Sequence, residues 1–229
     1  MSPINSQTQR TPEVLGLSCP VCAASAEPFL SVDGHDYFRC LTCRTRFLDP
    51  AQHPARDAEY AHYLHHENDP DDPCYRRFLS KLAEPLLARL EAASRGLDYG
   101  CGPGPALAVM LREAGHEVAL YDPFFAPDPA PLGDTYDFVT CTEAAEHFHH
   151  PSREFARLRD LVRPGGWLAI MTCFQTEDAH FAAWHYRKDP THVVFYREET
   201  FQNLADRWGW TCEVPVKDVA LMQRPRVSA

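Results

Sequence analysis

Leu97-Asp98-Tyr99-Gly100-Cys101-Gly102-Pro103-Gly104 decides how this 229-residue chain is read. Gly96–Tyr99 is expected to be a short strand, and the Gly-x-Gly-x-Gly run that ends it lets the backbone turn tightly. With no Cβ in the way, a ligand can approach the main-chain N–H groups at the start of the next helix. That helix is expected over Pro105–Ala114, with Gly104 before it, proline at its first position and Gly115 past its end. Taken alone, such a turn can be merely a structural corner. Here the following strand, Glu117–Tyr121, leads into Asp122 about twenty residues on, where a carboxylate can accept both hydroxyls of a ribose. The third glycine position of a dinucleotide fingerprint is lacking.

Outward from the turn, strand and helix alternate. A strand is expected over Tyr136–Cys141, a helix over Ser152–Val162, a turn at Pro164-Gly165-Gly166 and a strand over Trp167–Thr172. A helix at Glu198–Trp208, stopped by Gly209, precedes a closing antiparallel pair, Trp210–Val216 and Val219–Gln223. This order predicts an α/β fold with a Rossmann-like, doubly wound sheet. Upstream, Phe78, Leu79, Leu82, Leu86, Leu87 and Leu90 repeat at helical spacing, and Pro85 is expected to kink or restart that helix.

Composition narrows the partners. A net charge of −10 is the reverse of a basic nucleic-acid footprint, so bulk nucleic-acid binding is disfavoured and only a local basic patch would serve it. No apolar run of about 18 residues exists to insert in a membrane. The polar start, Met1–Pro12, lacks the order of a signal peptide, so a cytoplasmic location is expected. Residues 1–17 read as a flexible N-terminus, 18–48 as a cysteine-rich unit, 49–74 as a loop-rich linker and 75–229 as the main domain.

Cys19-Pro20-Val21-Cys22 and Cys40-Leu41-Thr42-Cys43, seventeen residues apart, match a four-thiolate zinc ribbon, with the Gly34 region as its hairpin. Structural Zn²⁺ would supply folding energy to a unit too small to fold by burial. The ribbon's role is open between substrate binding and a structural cap. Cys74, Cys101, Cys141, Cys173 and Cys212 are scattered and expected to be unpaired thiols.

Residues 97–104 resemble motif I of class I S-adenosylmethionine-dependent methyltransferases, and Val139–Phe148 and Leu161–Thr172 resemble that family's later segments. The resemblance covers roughly residues 75–225 and implies S-adenosylmethionine as cofactor. It implies that Asp98 and Gly100 border the methionine part, that Gly102 and Gly104 line the turn, and that Asp122 holds the ribose. One departure stands out. Only thirteen residues, four of them proline, separate Asp122 from Tyr136, and a crossover helix with a third strand needs roughly twice that. The third strand is therefore predicted to be shortened or missing, leaving Phe124 and Phe125 either to stack on adenine or to cap the core.

Glu143, Glu146 and His147 follow the fourth strand of that pattern. On a helix their i, i+3, i+4 spacing would share one face, which serves either a divalent ion or merely a solvated surface. The run Val139-Thr140-Cys141-Thr142-Glu143-Ala144-Ala145-Glu146-His147 resembles the acceptor-site segment of ubiquinone-biosynthesis O-methyltransferases, and its Glu-x-x-Glu-His core is shared by plant-type small-RNA 2′-O-methyltransferases. That resemblance implies a divalent ion, Mg²⁺ or Zn²⁺, activating an acceptor hydroxyl, with a later histidine as fourth ligand. His192, in the pair Thr191-His192, takes that place, with His185 in reserve. His147 is alternatively a general base without metal. Between the fifth strand and the last helix, Trp184, His185 and Tyr186 are expected either to line the acceptor pocket or to pack over the sheet end.

The leading expectation is methyl transfer to a small-molecule hydroxyl with metal assistance. The alternatives are methylation of RNA or protein delivered by the ribbon, and a non-catalytic cofactor sensor or scaffold. The oligomeric state is left open.

Overall fold

Alternate residues of the central strands point to opposite helical layers, as the period of a strand requires. Trp167, Ala169 and Met171 enter one buried cluster with Leu79, Leu82, Leu86, Leu107 and Leu111, whereas Leu168 and Ile170 enter another with Phe155, Leu158 and Phe201. The computed structural model describes residues 17–65 and 68–226. The expected flexible N-terminus, apart from Leu17, lies outside them.

In chain order the elements are β1 (Ala26–Val32), β2 (His35–Cys40), β3 (Arg46–Leu48), α1 (Arg56–Tyr63), α2 (Pro73–Leu87), β4 (Arg95–Tyr99), α3 (Ala106–Glu113), β5 (Glu117–Tyr121) and β6 (Tyr136–Thr142). There follow α4 (Pro151–Leu161), β7 (Val162–Met171), β8 (Val194–Phe195), α5 (Glu198–Trp208), β9 (Thr211–Glu213) and β10 (Val219–Gln223). The main sheet has the order β5-β4-β6-β7-β10-β9. Its first four strands are parallel, and β10 lies antiparallel between β7 and β9. The doubly wound reading and the closing pair agree with this. Among the described residues β5 is the sheet edge, and the chain after it makes only an Asp122–Ala126 bridge and a 3-10 turn at Ala130–Gly133. The short proline-rich stretch leaves no room for a third strand.

Two local expectations change. α2 runs through Pro85 without a restart, because the proline lies in the last turn and its missing N–H removes a bond only near the end. Pro164-Gly165-Gly166 lies inside β7, where the pairing with β6 slips between Tyr136 and Phe138.

The cysteine unit forms a second sheet, β1-β2-β3-β8, whose last strand comes from the main domain. Asp33 and Gly34, at φ +54° and +81°, make the tight hairpin between β1 and β2. Its aromatic residues Tyr37, Phe38 and Phe47 share one core with the main domain. The boundary at residue 48 therefore does not separate two bodies. The expected linker 49–74 also differs: it holds a 3-10 turn and the helix α1, and α2 begins inside it at Pro73, capped by the Asp72 side chain accepting from the Cys74 N–H at 2.9 Å.

Candidate active site

The ends of the parallel strands open on a cavity of about 790 Å³, walled by the glycine turn, Asp122, the loop after β6, α1 and His192. This is where an open parallel sheet binds ligands. Gly100 and Gly102 stand at φ +78° and +64°, conformations that L side chains rarely adopt. A Cβ on Gly104 would lie 1.7 Å from the Asn68 carbonyl oxygen. The glycines thus serve both the turn and the close passage of the segment leading to α2.

Asp98 is buried at the end of β4 and accepts from the Thr140 hydroxyl at 2.8 Å. Burial pushes its carboxyl up to about 6, partly offset by that hydrogen bond. Asp122 organises the edge of the cavity. Its Oδ1 accepts from the N–H groups of Phe124 and Phe125 at 2.8 and 3.0 Å, and its Oδ2 from that of Gly102 at 3.0 Å. Phe124 stacks on Tyr60 of α1 at 5.8 Å, meets Tyr63 edge-on at 5.3 Å and lies under the Arg56 guanidinium at 4.4 Å. Helix α1 thus packs on the segment that follows β5. Both phenylalanines still face the cavity.

The segment after β6 is not an α-helix, which corrects the shared-face argument. Glu143 has φ +46°, and Ala145–His147 form one 3-10 turn. Convergence comes instead from that turn meeting the Thr191-His192 loop. The ligating atoms of Glu146, His147 and His192 lie within 4.8 Å of one another. Glu146 is fully buried, and neither carboxylate oxygen has a hydrogen-bond partner among the described residues. Its nearest basic neighbour is His147 Nε2 at 3.9 Å, and a buried carboxylate without hydrogen bonds is costly unless a cation or proton joins it. His147 Nδ1 bonds the Thr191 carbonyl at 3.0 Å and His192 Nδ1 the Tyr186 carbonyl at 2.7 Å. A carbonyl only accepts, so each proton sits on Nδ1 and each Nε2 is free to ligate. Burial holds His192 down to about 4, so it is neutral as a ligand must be. This donor set, two imidazoles and a carboxylate, suits a divalent transition ion.

Glu143 stands outside that cluster. It accepts from the Tyr186 hydroxyl at 3.2 Å, and burial followed by the Glu146 charge pushes it up to about 9. Of the aromatic segment, His185 is exposed and neither Trp184, His185 nor Tyr186 lies on the cavity wall. Trp184 packs on Phe181, Tyr186 and Phe195, the core-packing alternative, while buried Tyr186 spaces Glu143 from Thr172. Asp189, noted in the sequence only as one polar residue of the loop before the last helix, lies on the cavity wall, as do Glu59, Tyr63 and Asn68, which were passed over. Asp189 was within reach, since Asp-x-x-His places it one turn before His192; it accepts from Thr191 and pairs with His62 of α1 at 3.1 Å. The others lie in the stretch taken for a linker.

The four cysteines are buried together, with Cys19–Cys43 and Cys22–Cys40 sulfurs at 3.5 Å and the Cys43 N–H donating to Cys40 Sγ at 3.4 Å. Four thiolates on a zinc ion at about 2.3 Å would stand roughly 3.8 Å apart, so the set fits a tetrahedral zinc site. The remaining five cysteines are unpaired.

A family model described as a methyltransferase domain matches residues 60–213. Ubiquinone biosynthesis O-methyltransferases of Aeromonas salmonicida and Proteus mirabilis are 31% and 32% identical over 94 and 95 residues, 41% and 42% of this chain and 40% and 39% of theirs. The chain thus spans about 40% of the length of those curated relatives. A crystal structure of Burkholderia thailandensis 1,6-didemethyltoxoflavin-N1-methyltransferase, with bound 1,6-didemethyltoxoflavin and S-adenosylhomocysteine, superposes with a TM-score of 0.48 at 18% identity, over 87% of this chain and 100% of that one.

Proposed function

Since this chain belongs to the class I S-adenosylmethionine-dependent methyltransferase family, we propose that it transfers a methyl group to a small-molecule hydroxyl with divalent-metal assistance. One observation carries the metal reading: the buried Glu146 carboxylate, without a hydrogen-bond partner among the described residues and 3.9 Å from His147 Nε2, beside two imidazoles whose Nε2 atoms make no hydrogen bond, on the cavity that also holds the glycine turn. A divalent ion there would lower the pKa of an acceptor hydroxyl, and the sulfonium donor carries the electrophilic methyl. The chain's own residues do the rest. Asp98 and Gly100 border the methionine end of the donor, and Gly102 and Gly104 leave room for it along the turn. Asp122 takes the ribose while keeping the turn closed. Glu146, His147 and His192 place the acceptor oxygen, and Tyr63 with α1 closes the cavity over it. Structural zinc at Cys19, Cys22, Cys40 and Cys43 completes the fold.

The test is transfer from labelled donor to a panel of phenols, catechols and quinols, with and without Mg²⁺, Mn²⁺ or Zn²⁺, for wild type and Glu146→Gln. Metal-dependent labelling that Glu146→Gln loses supports the proposal. Donor binding with no transfer to any acceptor favours the sensor reading. Labelling confined to RNA or protein favours the ribbon-delivery reading.

A further inference from the structure

The zinc site and the Glu146–His147–His192 cluster are joined by one run of main chain. Strand β3 begins three residues after Cys43, and the Cys40 N–H donates to the Thr45 carbonyl at 2.9 Å, tying the knuckle to that strand. β3 pairs with β8, Arg46 opposite Phe195 and Phe47 opposite Val194. Beyond the pair, the Leu48 N–H donates to the Val193 carbonyl at 2.8 Å, and the Val193 N–H donates to the Glu146 carbonyl at 2.9 Å. Val193 follows His192 directly. Two of the three cluster residues thus hang on a two-residue strand whose sheet partner belongs to the ribbon. So short a strand has no stability of its own.

Side chains clamp the same junction. Arg46, 1% exposed, bonds both carboxylate oxygens of Asp178 at 2.6 and 2.8 Å, and Arg197 joins the same carboxylate at 2.9 Å. Buried Arg187 reaches Asp33 at 2.7 Å and the Tyr37 hydroxyl at 3.3 Å. The first knuckle is gripped as well: the Pro20 carbonyl accepts from the Ser152 N–H, and the Cys22 carbonyl from Arg207. A ribbon held on so many sides is not a free arm for delivering a macromolecule.

We infer that the zinc-loaded ribbon is a positioning device for the acceptor site: zinc fixes β3, β3 fixes β8, and β8 sets Glu146 and His192 in ligating geometry. The inference rests on the cation reading above for its functional meaning, but its structural core does not. Loss of zinc should loosen the cluster while the glycine turn, held by the Gly100 N–H bond to the Tyr121 carbonyl at 2.8 Å and so tied to β5 rather than to β8, stays formed.

The experiment is hydrogen exchange on the full chain, zinc-loaded, stripped with a high-affinity chelator and reloaded, with zinc content measured alongside Mn²⁺ and S-adenosylhomocysteine binding. Stripping should raise exchange at the Val193 and Leu48 amides and weaken Mn²⁺ binding by roughly tenfold or more, reversibly. Gly100 exchange and S-adenosylhomocysteine affinity should stay within about twofold. Unchanged Val193 exchange in zinc-free protein overturns the inference. If the stripped chain unfolds throughout, Asp178→Asn decides, because it leaves all four thiols in place. Raised Val193 exchange with zinc and Gly100 protection intact then supports the coupling, and unchanged exchange overturns it. Should the zinc-loaded wild type fail to bind Mn²⁺ while the exchange coupling is present, the cation reading falls and the coupling stands.

Discussion

Replacing Asp98 by asparagine isolates what burying a carboxylate at the donor site costs. The side chain is 3% exposed, and burial raises its pKa from 3.8 to about 6. Because the folded value lies above the unfolded one, the protonated form favours the folded chain. The stability it contributes is whole below pH 3.8 and is lost as pH rises through about 6. That gap of roughly two pH units corresponds to about 3 kcal/mol of penalty for wild type at pH 8. Asparagine carries no charge and can still accept from the Thr140 hydroxyl through its Oδ1. Without donor, Asp98→Asn should therefore be more stable than wild type by about 3 kcal/mol at pH 8, roughly 6–12 °C in melting temperature for a chain of this size. The advantage should vanish near pH 4. S-adenosylhomocysteine affinity should fall over the same upper range, since the carboxylate held there at a cost is the group proposed to meet the ligand. Thermal unfolding of both proteins from pH 4 to 8, with calorimetric titration at pH 8, measures each part. A stability difference that ignores pH, or a variant less stable at pH 8 than at pH 4 relative to wild type, would refute the reasoning.

Three further outcomes are expected. Glu146→Gln and His192→Ala should each weaken Mn²⁺ binding by roughly a hundredfold or more, read by paramagnetic resonance, with S-adenosylhomocysteine binding changed less than about twofold. Asp122→Ala leaves the N–H groups of Gly102, Phe124 and Phe125 without their acceptor; denaturant unfolding should report a loss of about 2 kcal/mol or more, with donor-product affinity falling in parallel. Gly104→Ala puts a methyl 1.7 Å from the Asn68 carbonyl oxygen, so main chain must move; a loss of at least ~2 kcal/mol is expected, and an unchanged melting temperature would mean that the crossing of the two segments is looser than described.

What the sequence determined by itself was whatever local spacing encodes. The strand–turn–helix at Gly100–Gly104, the alternation of strands and helices, the closing antiparallel pair and the paired cysteines all follow from period, turn chemistry and short-range ligand spacing. Even the lost third strand was legible, because chain length between Asp122 and Tyr136 is a hard geometric limit. The acceptor site was legible only in part. Glu146, His147 and His192 meet, but through a 3-10 turn and a distant loop, while Glu143, read with them, has a left-handed backbone and bonds Tyr186. No helical spacing rule could foresee that. The stretch 49–74 read as linker because polar, proline-rich residues hide an amphipathic turn, yet α1 there walls the cavity through Tyr63 and Glu59. Above all, only the tertiary structure decided that ribbon and main domain share one core and one sheet. β3 and β8 lie far apart in sequence and pair through main-chain bonds, which carry no side-chain signature to read in advance.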